Sequence, residues 1–105
     1  MSKPRYRWWG YVRNVIRAYP SMRGKQKDRQ ARCERDAVEL AVEAAKELPY
    51  GKQMLEIIRL VYWEGSNTVD GAGAVAGYGT RQARTIHGEF VRMVAREMGL
   101  ITDVR

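Results

Sequence analysis

The sequence predicts an all-α protein of about five helices, the last two of which form a helix-turn-helix. Apolar residues recur at spacings of three and four along the 105 residues, and the alternating pattern of a half-buried strand is absent. Proline and glycine fall between the periodic segments, where helices are expected to end. A chain of this length supports one core, so 1–105 is expected to form a single helical domain.

The first helix is predicted over about 6–18, and Pro20 marks its end. Trp8 and Trp9 could stack on nucleic-acid bases, but tryptophans at helical spacing are more typical of core anchors. The segment that follows, SMRGKQK at 21–27, is a basic connector. The residues expected on the apolar face of this helix are Trp8, Val12, Val15 or Ile16, and Tyr19.

The second helix is predicted over about 27–48 and ends before Pro49 and Gly51. Cys33 falls on its apolar stripe, which predicts a small core residue rather than a reactive thiol. The stripe is formed by Cys33, Ala37, Leu40, Ala44 and Leu48, with Val38, Ala41 and Ala45 beside it. A solvated face is expected at Glu39, Glu43 and Glu47.

The third helix is predicted over about 52–63, before a turn at 64–67, EGSN. Its packing residues are expected to be Met54, Leu55, Ile58, Val61 and Tyr62. Residues 36–64 form an acidic helical core segment, because six carboxylates outnumber three basic side chains there.

The stretch GAGAVAGYGTRQARTIH, 71–87, places four glycines within nine residues of an otherwise helical chain. Each glycine costs a helix interior about 0.5–1 kcal/mol relative to alanine, so their presence needs a structural reason. A helix-turn-helix supplies one: Gly77 tolerates the left-handed backbone of the turn, and Gly73 lets the two helices approach closely. We therefore predict this motif over 68–98, with a long second helix.

Both helices of the predicted motif carry start signals. Thr68 can cap the first helix, Asp70 suits its first turn, and Gly79 or Thr80 can begin the second. Because Gly71 is also unfavourable within a helix, the first helix is expected to depend on tertiary packing. The residues expected to face the shared core are Ala72, Ala76, Tyr78, Ala83 and Ile86.

The second helix of the motif predicts a DNA-reading surface, because such a helix lies in the major groove. Arginine can bind guanine and glutamine can bind adenine through two hydrogen bonds, whereas threonine contacts phosphate or the thymine methyl. Arg92 and Arg96 lie further along and suit phosphate or water. His87 is expected at the rim of this helix, because no second ligand at metal spacing accompanies it. The predicted DNA-binding residues are Thr80, Arg81, Gln82, Arg84, Thr85 and Arg92.

The stretch from Val61 to Leu100, VYWEGSNTVDGAGAVAGYGTRQARTIHGEFVRMVAREMGL, resembles the C-terminal part of small phage and prophage transcription regulators of the RinA/ArpU kind. Those regulators are similar in turn to the promoter-reading C-terminal domain of sigma factors. A looser likeness extends to YVRNVIRAYP and AVELAVEAAKELPYGKQMLEIIRL. The family's turn reads Gly-Tyr-Ser; Gly77 and Tyr78 match it, whereas Gly79 replaces the serine and its capping hydroxyl. The resemblance implies activation of late phage genes.

The net charge of +7 is unevenly distributed. Residues 1–35 carry eleven basic side chains and two acidic ones, a balance that favours a polyanionic partner such as nucleic acid. The single cysteine and the absence of a signal-peptide pattern or a long apolar run predict a soluble cytoplasmic protein without membrane contact, and the resemblance to phage regulators implies that the cytoplasm is that of a bacterial host cell. No metal-ligand, nucleotide-binding or catalytic arrangement stands out, so neither an enzyme nor a cofactor is expected.

Together these patterns predict a sequence-specific DNA-binding transcription regulator, with double-stranded DNA as its partner. Two alternatives remain open. One is a small terminase subunit, which also uses a helix-turn-helix but assembles into a ring for DNA packaging. The other is an accessory protein that binds RNA polymerase through the acidic surface at 36–64. The sequence also leaves open whether the chain forms a homodimer.

Overall fold

The computed structural model describes residues 6–22 and 28–101, and within them the chain folds into five α-helices without a strand. The helices are α1 Trp9–Ala18, α2 Arg29–Lys46, α3 Gly51–Ile58, α4 Val69–Ala76 and α5 Thr80–Glu97. A 3₁₀ turn, Tyr19–Met22, follows α1, and a π-helical turn, Arg59–Trp63, continues α3. The predicted all-α fold is confirmed. Most of the basic connector, 23–27, lies outside the described residues.

The central helix of the fold is α5, which packs against each of the other four helices. Its 3.6-residue apolar period explains this position, since Phe90, Val91 and Val94 are fully buried along its inner face. The other helices add side chains to the same core. Examples of these are Ile16, Val38, Ile57 and Ala72.

The first helix buries the face that its sequence predicts, with Val12, Val15 and Ile16 inside the core. Trp8 and Trp9 are half-buried and pack against that core, as expected of aromatic anchors. Pro20 lies in the 3₁₀ turn that follows α1, so the backbone stays helical for a few residues after the α-helix ends. The ring of Trp9 also contacts the ring of His87 on α5, which links α1 to that helix.

Helix α2 buries Ala37 of the predicted stripe and the residues predicted beside it, but not the rest of the stripe. Leu40 is 54% exposed, and Cys33 and Ala44 are exposed as well, so the prediction that Cys33 lies in the core is wrong. Successive residues of an α-helix are rotated by about 100° around its axis. The line of predicted core residues therefore runs beside the line of residues that are buried. Small side chains on the buried face let α3 and α5 approach α2 closely. The buried residues of α2 are Ala37, Val38, Ala41 and Ala45.

The helix predicted over 52–63 is present but changes type at its end. The N–H of Glu64 donates to the carbonyl of Arg59 at 2.8 Å, which is the i to i+5 bond of a π-helical turn. The extra residue in this turn rotates the following side chains. Within the turn Leu60 and Tyr62 are buried and Val61 is half-buried, and Leu55, which lies earlier in α3, is half-buried as well.

Candidate nucleic-acid interface

Helices α4 and α5 form a helix-turn-helix joined by the three residues 77–79. Gly77 has φ 93°, the left-handed conformation that the sequence predicts for the turn. The N–H of Tyr78 then donates to the carbonyl of Gly73 at 2.8 Å, which closes the end of α4. Residues with a Cβ resist this backbone conformation, so the glycine sets the direction in which α5 leaves α4.

The two helices of the motif touch at Gly73. A Cβ atom placed on Gly73 would lie 2.2 Å from the Cβ of Ala83, closer than two carbon atoms can pack. Ala72, Ala83 and Ile86 are buried in the shared core, as predicted. The other two predicted core positions are half-buried, namely Ala76 and Tyr78.

The starts of the two helices differ in their capping. The hydroxyl of Thr68 accepts a hydrogen bond from the N–H of Gly71 at 3.1 Å, so the predicted cap of α4 is confirmed. Helix α5 begins at Thr80 after Gly79, which offers no side chain to its first turn. The first N–H groups of α5 therefore have no capping side chain.

Five of the six residues predicted to bind DNA lie in the first two turns of α5, and the sixth, Arg92, lies further along the helix. Within the described chain, the side chains of Arg81 and Gln82 have no hydrogen-bond partner. The hydroxyl of Thr85 donates to the carbonyl of Arg81 at 3.0 Å, which leaves the lone pairs of its oxygen available as acceptors. The exposed residues of this surface are Thr80, Arg81, Gln82, Arg84 and Thr85, and we call them the reading face.

Arg84 differs from the rest of the reading face because it is paired with Asp70 of α4. Its Nε and Nη2 donate to Oδ1 and Oδ2 of Asp70 at 3.1 and 3.0 Å. This hydrogen-bonded carboxylate raises the pKa of the Arg84 guanidinium above its ordinary value. The sequence indicated Asp70 only as a favourable charge in the first turn of α4. Its pairing with Arg84 depends on how the two helices cross, which spacing along the chain does not show.

A groove of about 430 Å³ runs beside the reading face. Tyr50, from the connection between α2 and α3, and Tyr78, from the turn of the motif, supply its aromatic walls. The hydroxyl of Tyr50 donates to the carboxylate of Glu89, with O–O distances of 2.7 and 2.8 Å. Apolar surface therefore lies next to Arg81 and Gln82, where a thymine methyl group could pack.

His87 does not lie at the rim of α5, because α1 and the π-helical turn cover it. Its side chain is only 7% exposed, and its Nε2 lies 2.6 Å from the hydroxyl oxygen of Tyr62. Arg13 in turn donates to that oxygen at 2.7 Å. Burial, and secondarily the charge of Arg13, lower the pKa of His87 to about 4. His87 is therefore neutral and hydrogen-bonded to the hydroxyl of Tyr62 inside the fold, and the rim prediction is wrong.

Arg92 is separated from the reading face by Trp9 of α1. A Cβ atom placed on Gly88 would lie 3.6 Å from the ring of Trp9 and 3.3 Å from Nη1 of Arg92. Gly88 falls between Thr85 and Arg92 along the same side of α5. The guanidinium of half-buried Arg92 therefore lies over Gly88, beside the ring of Trp9 and about one turn away from Thr85.

Over residues 6–22 and 28–101, no three histidine, cysteine, aspartate or glutamate side chains come close enough to hold a metal ion. In the same residues no helix has the length and apolar content needed to cross a membrane. Comparison of the chain with known protein families, curated proteins and solved structures gives no match.

Proposed function

We propose that this chain is a sequence-specific DNA-binding transcription regulator, and that α5 lies in the major groove of double-stranded DNA. One observation carries the proposal: Arg81 and Gln82 project without partners from the start of the second helix of a helix-turn-helix. Arginine and glutamine are the side chains that read guanine and adenine edges in this docking geometry.

The other residues of the site have complementary roles in this proposal. Thr80 lies at the uncapped start of α5, where a phosphate group would accept from the free N–H groups. Thr85 faces the aromatic groove beside Arg81 and suits the methyl group of thymine. Arg92, beyond Trp9, suits a phosphate further along the duplex.

A role in transcription, and in a bacterial host cell, is supported by the resemblance of Val61–Leu100 to phage regulators of the RinA/ArpU kind. The activity it implies is activation of late phage genes. Gly77 and Tyr78, which carry the likeness, are also the residues that shape the turn before α5.

The proposal is tested by selecting bound fragments from a randomised duplex library, followed by titration of the selected and scrambled duplexes at one salt concentration. Arg81→Ala should weaken binding to the selected duplex by about 1–3 kcal/mol and relax the preference at one base pair. Scrambled duplex should be affected far less, because one positive charge among many is lost.

The matched control is Arg59→Ala, which also removes one exposed arginine but from the segment between Glu56 and Glu64. It should leave both titrations unchanged. A library from which the protein enriches no sequence contradicts the proposal. Equal weakening of the two duplexes by Arg81→Ala shows that α5 does not read bases.

Contact with RNA polymerase is a second function that a separate observation favours. Leu40 on α2 lies in a groove of about 590 Å³, and Glu39 and Glu43 are part of its lining. We propose that a basic surface of RNA polymerase with an apolar residue at its centre docks here. Charge complementarity supports this, since carboxylates surround an exposed leucine in a chain of net charge +7.

The polymerase contact is measured with purified bacterial RNA polymerase in the absence of DNA. Leu40→Ser should weaken binding at least tenfold, whereas Val75→Ser, which changes a 60% exposed valine on α4, should not. Equal affinities for the two variants contradict the proposal.

A further inference from the structure

The ion pair between Asp70 and Arg84 connects α4 to the reading face of α5. Both side chains are well exposed, with accessible fractions of 42% and 68%. Exposed ion pairs add little to the stability of a fold, so stability is a poor explanation for this one. Its position on the surface proposed to meet DNA suggests a role in recognition.

The carboxylate of Asp70 occupies one edge of the guanidinium and leaves another open. The side edge, formed by Nε and Nη2, donates to both oxygens of Asp70. The end edge consists of one N–H of Nη1 and the second N–H of Nη2, and within the described chain Asp70 leaves these two donors open. This end edge carries two parallel N–H donors, which is the pattern that O6 and N7 of guanine accept.

We propose that Asp70 is a specificity-determining positioning residue, which holds the Arg84 guanidinium so that its end edge reads a guanine. The inference rests on the proposed function, because it requires α5 to lie in the major groove. An arginine side chain loses much rotamer freedom when it binds a base. The pair with Asp70 fixes the guanidinium plane before DNA arrives, so less freedom is lost on binding and a displaced base is less readily accommodated.

Two effects of Asp70 on DNA binding have opposite signs. Its negative charge repels phosphate, so loss of that charge alone would tighten binding to every duplex. Loss of the positioning contact weakens binding only where Arg84 reads its guanine. Positioning therefore predicts a loss of discrimination at one base pair, whereas charge predicts uniform tightening.

The experiment applies the randomised-duplex selection to the wild-type chain, Asp70→Asn, Arg84→Ala and the double variant. Each protein is then titrated with the selected duplex and with a duplex in which the preferred guanine is replaced. Asp70→Asn should lower the guanine preference about tenfold, and Arg84→Ala should abolish it. The double variant should show the same absence of guanine preference as Arg84→Ala, because Asp70 influences that preference only through Arg84.

Two further variants keep the test decisive. Asp36→Asn makes the same chemical change at an exposed carboxylate of α2 and should leave the guanine preference intact. Asp70→Ser removes the carboxylate with a residue that also suits a helix start, and it replaces Asp70→Asn if a thermal melt shows that the latter is unfolded.

The outcomes separate the inference from the proposed function. A wild-type chain that selects no sequence overturns both. A selected guanine that the folded Asp70 variant prefers as strongly as wild type overturns the inference alone. Uniform tightening on all duplexes does the same, because it shows that only the charge of Asp70 matters.

Discussion

Buried His87 shows how a single residue links three elements of this fold. Its Nε2 is hydrogen-bonded to the hydroxyl of Tyr62 in the π-helical turn, and Arg13 of α1 donates to the oxygen of Tyr62. Arginine can only donate, so the oxygen of Tyr62 accepts from Arg13. Because α5 carries His87, this chain of hydrogen bonds sets the position of α1 on the helix proposed to read DNA.

The ionisation of His87 makes the stability of the fold depend on pH. Its pKa is lowered from 6.5 to about 4 in the folded chain, chiefly by burial, so the unfolded chain binds the proton more tightly. The free energy of unfolding should therefore be independent of this group above about pH 6.5. It should fall as the pH drops from 6.5 towards 4, by at most about 1.4 kcal/mol per pH unit.

Urea titrations at pH 7.5, 6.5 and 5.5 measure this dependence, with His87→Gln as the control. The chain has only one histidine, so the control removes the only side chain expected to titrate in this range. A wild-type slope as flat as that of His87→Gln means that His87 is not held neutral by burial.

At the scale of residues, sequence reasoning succeeds where the cause is local. Thr68 and Gly77 are predicted because a cap and a left-handed turn involve only neighbours in the chain. His87 and Asp70 are different, since Tyr62 lies 25 positions from one and Arg84 lies 14 positions from the other. Periodicity assigns a residue to a face of its helix, but it does not say which helix covers that face.

The elements of the helix-turn-helix are held at their angle by one backbone conformation and one close contact. Gly77 supplies the conformation, and Gly73 against Ala83 supplies the contact. Short α4, with glycine inside it, has little intrinsic helicity and depends on this packing. Changes in the turn are therefore expected to alter both the stability of the motif and the direction of α5.

Gly77→Val should destabilise the fold by about 1–2 kcal/mol, because a β-branched residue resists positive φ. No atom lies within 4 Å of a Cβ placed on Gly77, so the cost comes from the backbone and not from a clash. Thermal and urea unfolding give the loss of stability, and duplex titration gives the loss of binding.

Gly79→Ala is the matched control for this change, two residues along the same turn. Its φ is −72° and a Cβ there also meets nothing within 4 Å, so no backbone strain is expected and the cost should be only that of alanine at a helix N-cap, about 0.5 kcal/mol. If Gly77→Val folds and binds as well as Gly79→Ala, the turn does not control the motif.

Helix α2 shows where prediction fails at the scale of an element. Its apolar residues cover two overlapping stripes, and the sequence favours the stripe that includes Leu40. The fold buries alanines instead, because their small side chains admit α3 and α5 at short range. Close packing of neighbours thus outweighs the hydrophobicity of one leucine, and only the assembled helices reveal it.

Charge is segregated along the whole chain, basic in 1–35 and acidic in 36–64. Lys3 and Arg5 at the N-terminus, and Lys25 in the connector, lie outside the described residues. In the proposed complex such groups would meet phosphates, which supply affinity without reading sequence. The reading face would then supply the discrimination between sequences.

If the basic groups supply phosphate contacts in this way, DNA affinity should depend strongly on salt concentration. The logarithm of the association constant should fall linearly with the logarithm of salt concentration, by about 0.9 for each phosphate contacted. Lys25→Ala should reduce the slope by about one contact, equally for selected and scrambled duplexes. Lys46→Ala, which removes a lysine paired with Glu43 in the acidic segment, should leave it unchanged. A slope near zero contradicts DNA binding altogether.

In the proposed complex, Trp9, whose ring covers α5 at Gly88, would limit how much sequence information one copy of the chain can extract. The uncovered part of α5, 80–85, rises by about 8 Å, which matches the height of two to three stacked base pairs. A three-base-pair word recurs by chance about once in 64 positions, far too often to mark one promoter among the competing sites of a genome. Selective regulation by this fold therefore requires a second source of information, such as a repeated half-site read by another copy.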